Sequence, residues 1–449
     1  MIFQAAGQCI KFQNNVCMKQ NNSSDKTIRR ISVRLLPFLL LMYILAFLDR
    51  ANLGFAKLAF QADTGLSDSV FAFGAGIFFI GYCIFEIPSN LILHRVGAKR
   101  WMCRIMVSWG IVSSLMMFAH TATTFYLIRF LLGAMEAGFF PGVIYYLTYW
   151  YPSDMRARSI GFFYFGIPLA LIIGGPLSGW LLEFDDSAGL KGWQWMFLVE
   201  GLLAVIVGIW AYWYLDDKPS SARWLSVEQK QSLNALLNKE ESVKHAYGPA
   251  NFLRALTDPR MFYLTALYFL IQISFYGIVY YLPTQVAAIA KQKVGLLVGL
   301  LTSIPWLCAL VAAFFVTRYS DKTGERRKMA SIALFFAFIG IAAFALSDTP
   351  VVAMAGLCIA AAGLISVQPV FWTLPTSYLA GNAAAGGIAF INSFGNVGGF
   401  VAPNVKTWVE IKFDSAPAGM FVLAASALVG AVLVLFSEKL GLKGKVVTR

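Results

Sequence analysis

The chain is short of charged residues. Asp, Glu, Lys and Arg make up only 13% of its 449 residues, against about 25% in ordinary soluble proteins. Hydrophobic residues make up 58%, and the mean hydropathy is +0.67. This composition excludes an ordinary soluble globular protein and favours a chain that crosses a membrane several times.

Residues for metal and nucleotide chemistry are also scarce. The three histidines (His94, His120 and His245) are scattered, and no two of the six cysteines form a Cys-x-x-Cys motif. The sequence contains no glycine-rich phosphate-binding loop, so ATP is not expected to be an energy source. It offers no nucleophile–base pattern either. We therefore predict no metal site, no bound cofactor and no enzymatic activity, and we expect the cysteines to be unpaired.

What the sequence does contain is twelve long apolar runs. They lie at about 32–55, 68–92, 101–120, 124–148, 159–183, 195–215, 261–284, 294–317, 329–347, 351–374, 385–408 and 416–437. A polar stretch separates the sixth run from the seventh. The prediction is an all-α membrane protein with twelve transmembrane helices in two pseudo-symmetric halves of six.

The domain boundaries follow from these runs. We expect a polar, disordered cytoplasmic tail at 1–30, in which Met18 could be the true start. The two six-helix bundles should occupy 31–215 and 259–437. Between them, 216–258 is predicted to be a cytoplasmic linker with a short amphipathic helix from Leu225. A basic cytoplasmic tail, 438–449, ends the chain.

Lysine and arginine set the orientation. They number 36 against 23 acidic residues, for a net charge of +13. In a soluble chain this excess would suggest nucleic acid, but membrane proteins concentrate basic residues in cytoplasmic loops. Most of the basic residues lie in the tails and loops that share one side. We therefore expect both termini in the cytoplasm, a lipid bilayer rather than nucleic acid as partner, and a monomer.

A basic loop recurs at matched positions of the two halves. His94-Arg-Val-Gly-Ala-Lys-Arg100 follows the second run, and Asp321-Lys-Thr-Gly-Glu-Arg-Arg327 follows the eighth. The recurrence indicates a gate that contacts the neighbouring bundle in one conformation only, although positive-inside topology alone could also explain it. The predicted gating residues are Arg95, Gly97, Lys99, Arg100, Asp321, Lys322, Gly324, Arg326 and Arg327.

Four charged residues stand inside apolar runs, where charge is costly and is retained for function or for a partner. They are the adjacent pair Asp49-Arg50, and Arg129 and Glu136, which share one helix face about 10 Å apart along the axis. A carboxyl group in a low-dielectric cavity can take up and release a proton near neutral pH. A guanidinium can hold a carboxylate in bidentate fashion. The alternative for each is a fixed ion pair, and Arg129 could instead be structural or a gate.

Polar and aromatic residues recur at helical spacing in the same runs. As substrate-binding candidates beside Arg50 and Arg129 we select Tyr43, Tyr82, Gln272, Tyr276, Gln368, Trp372, Asn392 and Asn396. Amides and phenols near the midplane suit a hydroxylated ligand, but they could also be hydrogen bonds between helices. Glu86 could be a gate acid or a partner of a loop base, and Glu200 is interpreted as structural.

The Asp-Lys-x-Gly-Glu-Arg-Arg loop and the twelve runs resemble the major facilitator superfamily. Within it, residues 31–437 are similar to the anion:cation symporters, and specifically to bacterial sugar-acid permeases of the rhamnonate and galactonate type. The motifs that carry this likeness are Phe47 to Ala56, Ile87 to Asn90, Arg129 to Gly142, Trp150 to Pro152, Arg156 to Arg158, Gly192 to Trp195, Glu200-Gly201, Tyr281 to Ala288 and Val367 to Thr376. His94 departs from the pattern, since the family usually has Asp there.

The resemblance implies uptake of a small organic anion with protons across the bacterial inner membrane, by alternating access. Asp49 and Glu136 would couple the protons, whose gradient would drive transport. The substrate would be an aldonate such as rhamnonate or galactonate, with tartrate or an aromatic acid such as phthalate or hydroxyphenylacetate as alternatives. A proton-antiport exporter is disfavoured because the Gly174-Gly-Pro-Leu-Ser-Gly-Trp180 stretch lacks the full glycine motif of drug antiporters. A membrane sensor would need a signalling domain, and the linker is too short to hold one.

Overall fold

The computed structural model describes residues 2–234, 237, 258–378 and 381–437, with side chains described outside 2–25, 153–158 and 377–385. Nearly all of this is helical. In chain order the helices are α1 (Ile2–Thr64), α2 (Asp68–Val96), α3 (Ala98–Ser114), α4 (Ala122–Glu136), α5 (Phe139–Thr148), α6 (Ser153–Tyr164), α7 (Gly166–Leu182), α8 (Gly192–Tyr214), α9 (Pro259–Ala290), α10 (Leu296–Thr323), α11 (Arg326–Leu346), α12 (Pro350–Tyr378), α13 (Gly381–Asn396), α14 (Gly398–Phe413) and α15 (Ala416–Phe436).

The helices follow the apolar runs of the sequence. Within the described part of the chain, eleven helical segments are long and apolar enough to cross a bilayer. The remaining predicted run, 385–408, falls on two consecutive helices, α13 and α14. Their sequence is diluted by polar and small residues, Asn392 and Asn396 among them. The predicted all-α membrane fold of twelve spans is confirmed.

The N-terminal segment differs from expectation. The sequence predicts a disordered tail at 1–30, whereas α1 begins at Ile2 and continues without a break into the first span. Residues 2–30 contain no proline, and extending an existing helix by one residue is far easier than starting a new one. The polar composition of residues 2–30 was therefore not a sufficient guide to their local structure. In the linker, 227–234 is helical; of its remainder up to 257, only residue 237 lies within the described residues.

The fourth span is broken beside a functional acid. α4 ends at Glu136, and α5 begins three residues later at Phe139. Gly138 makes the turn with φ +87°, a left-handed conformation that suits glycine. A Cβ at Gly138 would lie 2.4 Å from Ser89 Oγ, so the turn also needs the small residue for its close approach to α2. The break leaves Glu136 at a helix end inside the protein.

The two halves are α1–α8 and α9–α15. The first span begins and the last span ends at the same end of the bundle, which we call the terminal end. Here the Tyr214 hydroxyl donates to the Arg34 carbonyl oxygen, and the Lys99 amide donates to Asp217 Oδ1. At the opposite end, the far end, the Leu296 amide donates to Glu183 Oε1 across the halves.

Small residues bring the halves together toward the far end. A Cβ at Gly175 of α7 would lie 2.5 Å from the Gly299 carbonyl oxygen of α10. A Cβ at Gly54 of α1 would lie 2.6 Å from the Tyr280 carbonyl oxygen of α9. Backbone therefore packs against backbone at these crossings, as small residues permit in membrane bundles. The far end is closed in this conformation.

A central cavity between the halves as candidate functional site

A small polar cavity lies between the two halves. Its volume is about 30 Å³, enough for one or two water molecules. The lining residues are Tyr43, Phe47, Arg50, Tyr82, Phe140, Tyr164, Ile167, Tyr268, Gln272, Phe275, Tyr276, Gln368, Asn392 and Asn396. Eight of the ten residues predicted to bind substrate are therefore in one place. Arg129 and Trp372 are not in this lining.

Arg50 is the cation of the cavity. Its side chain is buried, and its Nε and Nη2 atoms donate to Glu136 Oε1 at 2.8 and 2.5 Å. Its Nη1 atom donates to the Tyr276 hydroxyl at 3.0 Å, which joins α1 to α9 in the other half. The guanidinium also lies about 5 Å from the ring centres of Phe47 and Tyr82. Arg50 thus connects a buried acid, the cavity and the opposite half.

Asp49 points elsewhere although it precedes Arg50. Successive residues on a helix are about 100° apart, so the two side chains leave α1 in different directions. Asp49 Oδ1 accepts hydrogen bonds from Ser113 of α3 and from Asn52, inside the N-terminal half. Its Oδ2 atom is buried and has no hydrogen-bond partner among the described residues. Among the described residues Asp49 forms no ion pair with a neighbouring base, which was the alternative to a proton site.

Glu136 and Arg129 do not form the ion pair that their spacing allows. Glu136, the last residue of α4, is paired with Arg50 as described. Arg129 is fully buried and donates to the backbone carbonyl oxygens of Gly74 and Ala75 on α2, both at 3.3 Å. Its Nη1 atom has no hydrogen-bond partner among the described residues. In this conformation Arg129 therefore ties α4 to α2 and is separate from the cavity lining.

A chain of amides forms the C-terminal wall of the cavity. Gln368 Nε2 donates to Gln272 Oε1 at 2.9 Å, and Gln272 Nε2 donates to Asn396 Oδ1 at 2.7 Å. These residues come from α12, α9 and α13, so the chain crosses three helices. All three are buried. Such a wall presents donors and acceptors together, which is what several hydroxyl groups on one ligand require.

Glu86 and Glu200, the two acids for which the sequence favoured no substrate-binding role, have defined partners. Glu200 accepts from Ser178 at 2.7 Å within the N-terminal half, and its structural role stays a prediction. Glu86 of α2 accepts from Asn392 Nδ2 at 2.7 Å and from the Ser393 hydroxyl. Both donors belong to the opposite half. Glu86 is therefore a contact between halves and not a partner of a loop base.

Trp372 stands apart from the other candidates. Its ring packs edge-on against Tyr268 at 4.9 Å between centroids, behind the cavity lining. Tyr268 is the residue that faces the cavity, and sequence reasoning missed it although it precedes Gln272 by one helical turn. Also missed were Phe47, Phe140, Tyr164, Ile167 and Phe275, because aromatic and aliphatic residues are common in every span.

The two predicted gating loops make contacts within their own halves. In the first, a Cβ at Gly97 would lie 2.9 Å from Asp217 Oδ1, the atom that accepts from the Lys99 amide. In the second, Arg326 Nη2 lies 3.4 Å from Asp321 Oδ1, and Gly324 makes the turn with φ +67°. The gate between bundles stays a prediction for these loops, including Arg95, Arg100, Lys322 and Arg327.

Comparison with known proteins agrees with this architecture. The family model of the Major Facilitator Superfamily matches residues 39–403. The inner membrane transport protein RhmT of Escherichia coli is 47% identical over 91% of this chain and 95% of its own length. A putative tartrate transporter of Agrobacterium vitis is 42% identical, covering 91% and 94%. A quinolone resistance transporter of Acinetobacter baumannii is 40% identical, covering 90% and 93%.

A solved structure shows the same fold. A bacterial homologue of the human lysosomal transporter Spinster superposes with a TM-score of 0.73 over 92% of this chain and 98% of that one, at 16% identity. The relatives over most of the chain are membrane transporters rather than enzymes. The chain is a multi-pass membrane protein and belongs to the Major Facilitator Superfamily of transporters.

Proposed function

We propose that this protein is a proton-coupled symporter that imports a small organic anion, an aldonate such as rhamnonate or galactonate, by alternating access. It would act as a monomer in a bacterial inner membrane with both termini in the cytoplasm, which the distribution of Lys and Arg favours. The observation that carries the proposal is the position of Arg50, a buried cation held by one acid at the boundary of the two halves.

Charge balance explains why anion and proton would move together. In this structure the Glu136 carboxylate neutralises Arg50. A substrate carboxylate that takes over the guanidinium would leave Glu136 as a buried, unpaired anion, which is strongly unfavourable. Protonation of Glu136 removes that charge. Occupancy by an anion therefore favours uptake of a proton, and release of one favours release of the other.

Asp49 is the second candidate for a coupled proton. It is buried inside the N-terminal half, and its Oδ2 atom lacks a donor among the described residues. A lone carboxylate in such surroundings is destabilised, whereas its protonated form is not. Asp49 is not in the cavity lining, so a proton here would act through α1, on which Arg50 is the next residue.

The amide wall supports a hydroxylated ligand. Gln272, Gln368 and Asn396 offer donors and acceptors that now satisfy one another. An aldonate has a carboxylate for Arg50 and several hydroxyl groups that could exchange with these internal bonds. At about 30 Å³ the cavity is too small for such a molecule, so the halves must separate for entry.

An aromatic acid is the second candidate substrate, and one observation favours it. Phe47, Phe140, Tyr164, Tyr268 and Phe275 give the cavity a largely aromatic lining. Rings of this kind can stack on an aromatic ligand that carries a carboxylate. Competition would decide: labelled aldonate uptake should be inhibited more by gluconate-like acids than by hydroxyphenylacetate-like acids. Stronger inhibition by the aromatic acid would overturn the aldonate assignment.

The function is tested by counterflow of labelled rhamnonate and galactonate in proteoliposomes, with and without a proton gradient. Wild-type protein should exchange one of them and, with an inward proton gradient, accumulate it. Glu136→Gln and Asp49→Asn should lose accumulation while the protein still folds. Glu228→Gln, which changes an exposed acid of the linker, is the matched control and should accumulate substrate normally.

If Glu136→Gln or Asp49→Asn still accumulates substrate to the wild-type level, the acid that was replaced is not part of the coupling mechanism. Export is tested separately because one relative is a resistance transporter. In inside-out vesicles with an acidified interior, a proton antiporter would accumulate substrate inside, whereas a symporter would not. Accumulation there would overturn the direction of transport that we propose.

A further inference from the structure

Glu86 is a buried acid that has no role in the transport mechanism proposed above. Its side chain is fully buried in α2, and it follows Tyr82 of the cavity lining by one helical turn toward the terminal end. In the described part of the chain it has no salt-bridge partner. Burial of a carboxylate without a cation is unfavourable unless hydrogen bonds compensate for the lost water.

The compensating hydrogen bonds come from the other half. One carboxylate oxygen accepts from Asn392 Nδ2 at 2.7 Å, and the other accepts from the Ser393 hydroxyl. Both donors are on α13, and each oxygen has one donor. Hydrogen bonds to a charged group are among the stronger ones, and they depend steeply on distance and angle. Rigid-body separation of the halves would break both at once.

Asn392 also lines the cavity. The contact with Glu86 therefore lies at the floor of the site, on the side of the terminal end. Opening of the cavity in that direction by separation of α2 from α13 would require this contact to break. An occupant that takes the Asn392 N–H group would compete with Glu86 for it, so filling the site would weaken the contact.

We propose that Glu86 is a positioning residue for transport, a latch that holds α2 to Asn392 and Ser393 and must release them before the cavity opens to the terminal end. This inference rests on the alternating-access part of the proposed function. It requires no particular substrate and no role for Glu86 in carrying a proton.

The test measures the opening of the terminal end directly. Spin labels are placed at Val96 and Thr323, the terminal-end limits of α2 and α10, in the full chain with its native cysteines replaced by serine. Distances are measured in lipid nanodiscs without substrate by pulsed electron paramagnetic resonance. Both positions are exposed and belong to different halves.

Glu86→Ala should raise the ratio of open to closed populations at least about tenfold, and Ser393→Ala about threefold. Glu86→Gln should stay near wild type, because its amide can accept from Asn392 and donate to Ser393. Ser331→Ala is the matched control for Ser393→Ala. Ser331 is also buried, but it bonds to the Ala431 carbonyl oxygen within the C-terminal half, so the populations should not change.

Unchanged distances in Glu86→Ala would overturn the latch. If that variant does not fold, the comparison of Ser393→Ala with Ser331→Ala decides, and equal distributions in those two would also overturn it. Glu86→Gln that opens as far as Glu86→Ala would show that charge, and not the hydrogen-bonded contact, holds the halves. Because no substrate is added, failure of the latch is distinguishable from failure of the substrate assignment.

Discussion

Replacing Arg50 with lysine separates charge from geometry at the centre of the site. Lysine keeps the positive charge but replaces a planar fork of donors with a single ammonium group. Arg50 donates to Glu136 through two nitrogen atoms and to Tyr276 through a third. A lysine side chain is shorter and cannot reach both partners from one position. We therefore expect a carboxylate in this site to lose one or two directed hydrogen bonds.

The expected magnitude follows from those bonds. A hydrogen bond to a charged group contributes about 1.5–3 kcal/mol, and the ammonium keeps part of it. A net loss of about 1.5–3 kcal/mol corresponds to an increase in the dissociation constant of about 10- to 150-fold.

The assay is calorimetric titration of purified protein with the aldonate that gives counterflow. Arg104→Lys is the matched control, since Arg104 is half-buried over the Trp101 ring but lies outside the cavity lining. It should bind within about twofold of wild type. An Arg50→Lys protein with unaltered affinity would refute the role of Arg50 in holding the carboxylate.

Two further predictions test the loop and the helix break. Asp321→Asn removes an exposed partner of Arg326. Because the loop lies about half a bilayer from the cavity, this change should slow turnover, measured by counterflow, with little change in substrate affinity, measured by binding. A large loss of affinity at unchanged turnover would contradict this. Gly138→Ala should destabilise the protein by about 2 kcal/mol or more in thermal unfolding, because it places an alanine in a left-handed conformation and brings its Cβ against Ser89. Gly161→Ala is the control and should be near neutral, because a Cβ there would have open space around it.

The helices could be predicted because the bilayer imposes a simple rule on the sequence. A segment that crosses hydrocarbon must be apolar for about 20 residues, and eleven helical segments satisfy that rule among the described residues. The rule does not apply outside the membrane, so the helical course of 2–30 could not be deduced from polarity. It also does not mark breaks inside a span. The turn at Gly138 depends on Ser89 of another helix, which no local pattern reveals.

The predicted site shows the same division. Polar residues in apolar helices are rare, so their rarity alone selected Arg50, Gln272 and Asn396, and the structure brings these three to one cavity. The ion-pair partners of the charged residues could not be predicted in this way. Helical spacing allowed an ion pair between Arg129 and Glu136, but in the structure Glu136 pairs with Arg50 of α1, and Arg129 donates to the backbone of α2.

The identity of that pair is the basis of the proposed coupling between anion and proton. If Arg129 neutralised Glu136, Arg50 would be a free cation in the cavity, and an anion could bind without any change in protonation. Because Glu136 neutralises Arg50, an anion that takes the place of Glu136 on the guanidinium displaces an acid. The displaced acid stays buried, and a proton is the one small cation that can neutralise it without needing further ligands. The proposed coupling to protons thus rests on one contact between α1 and the end of α4, a contact that sequence spacing could not establish.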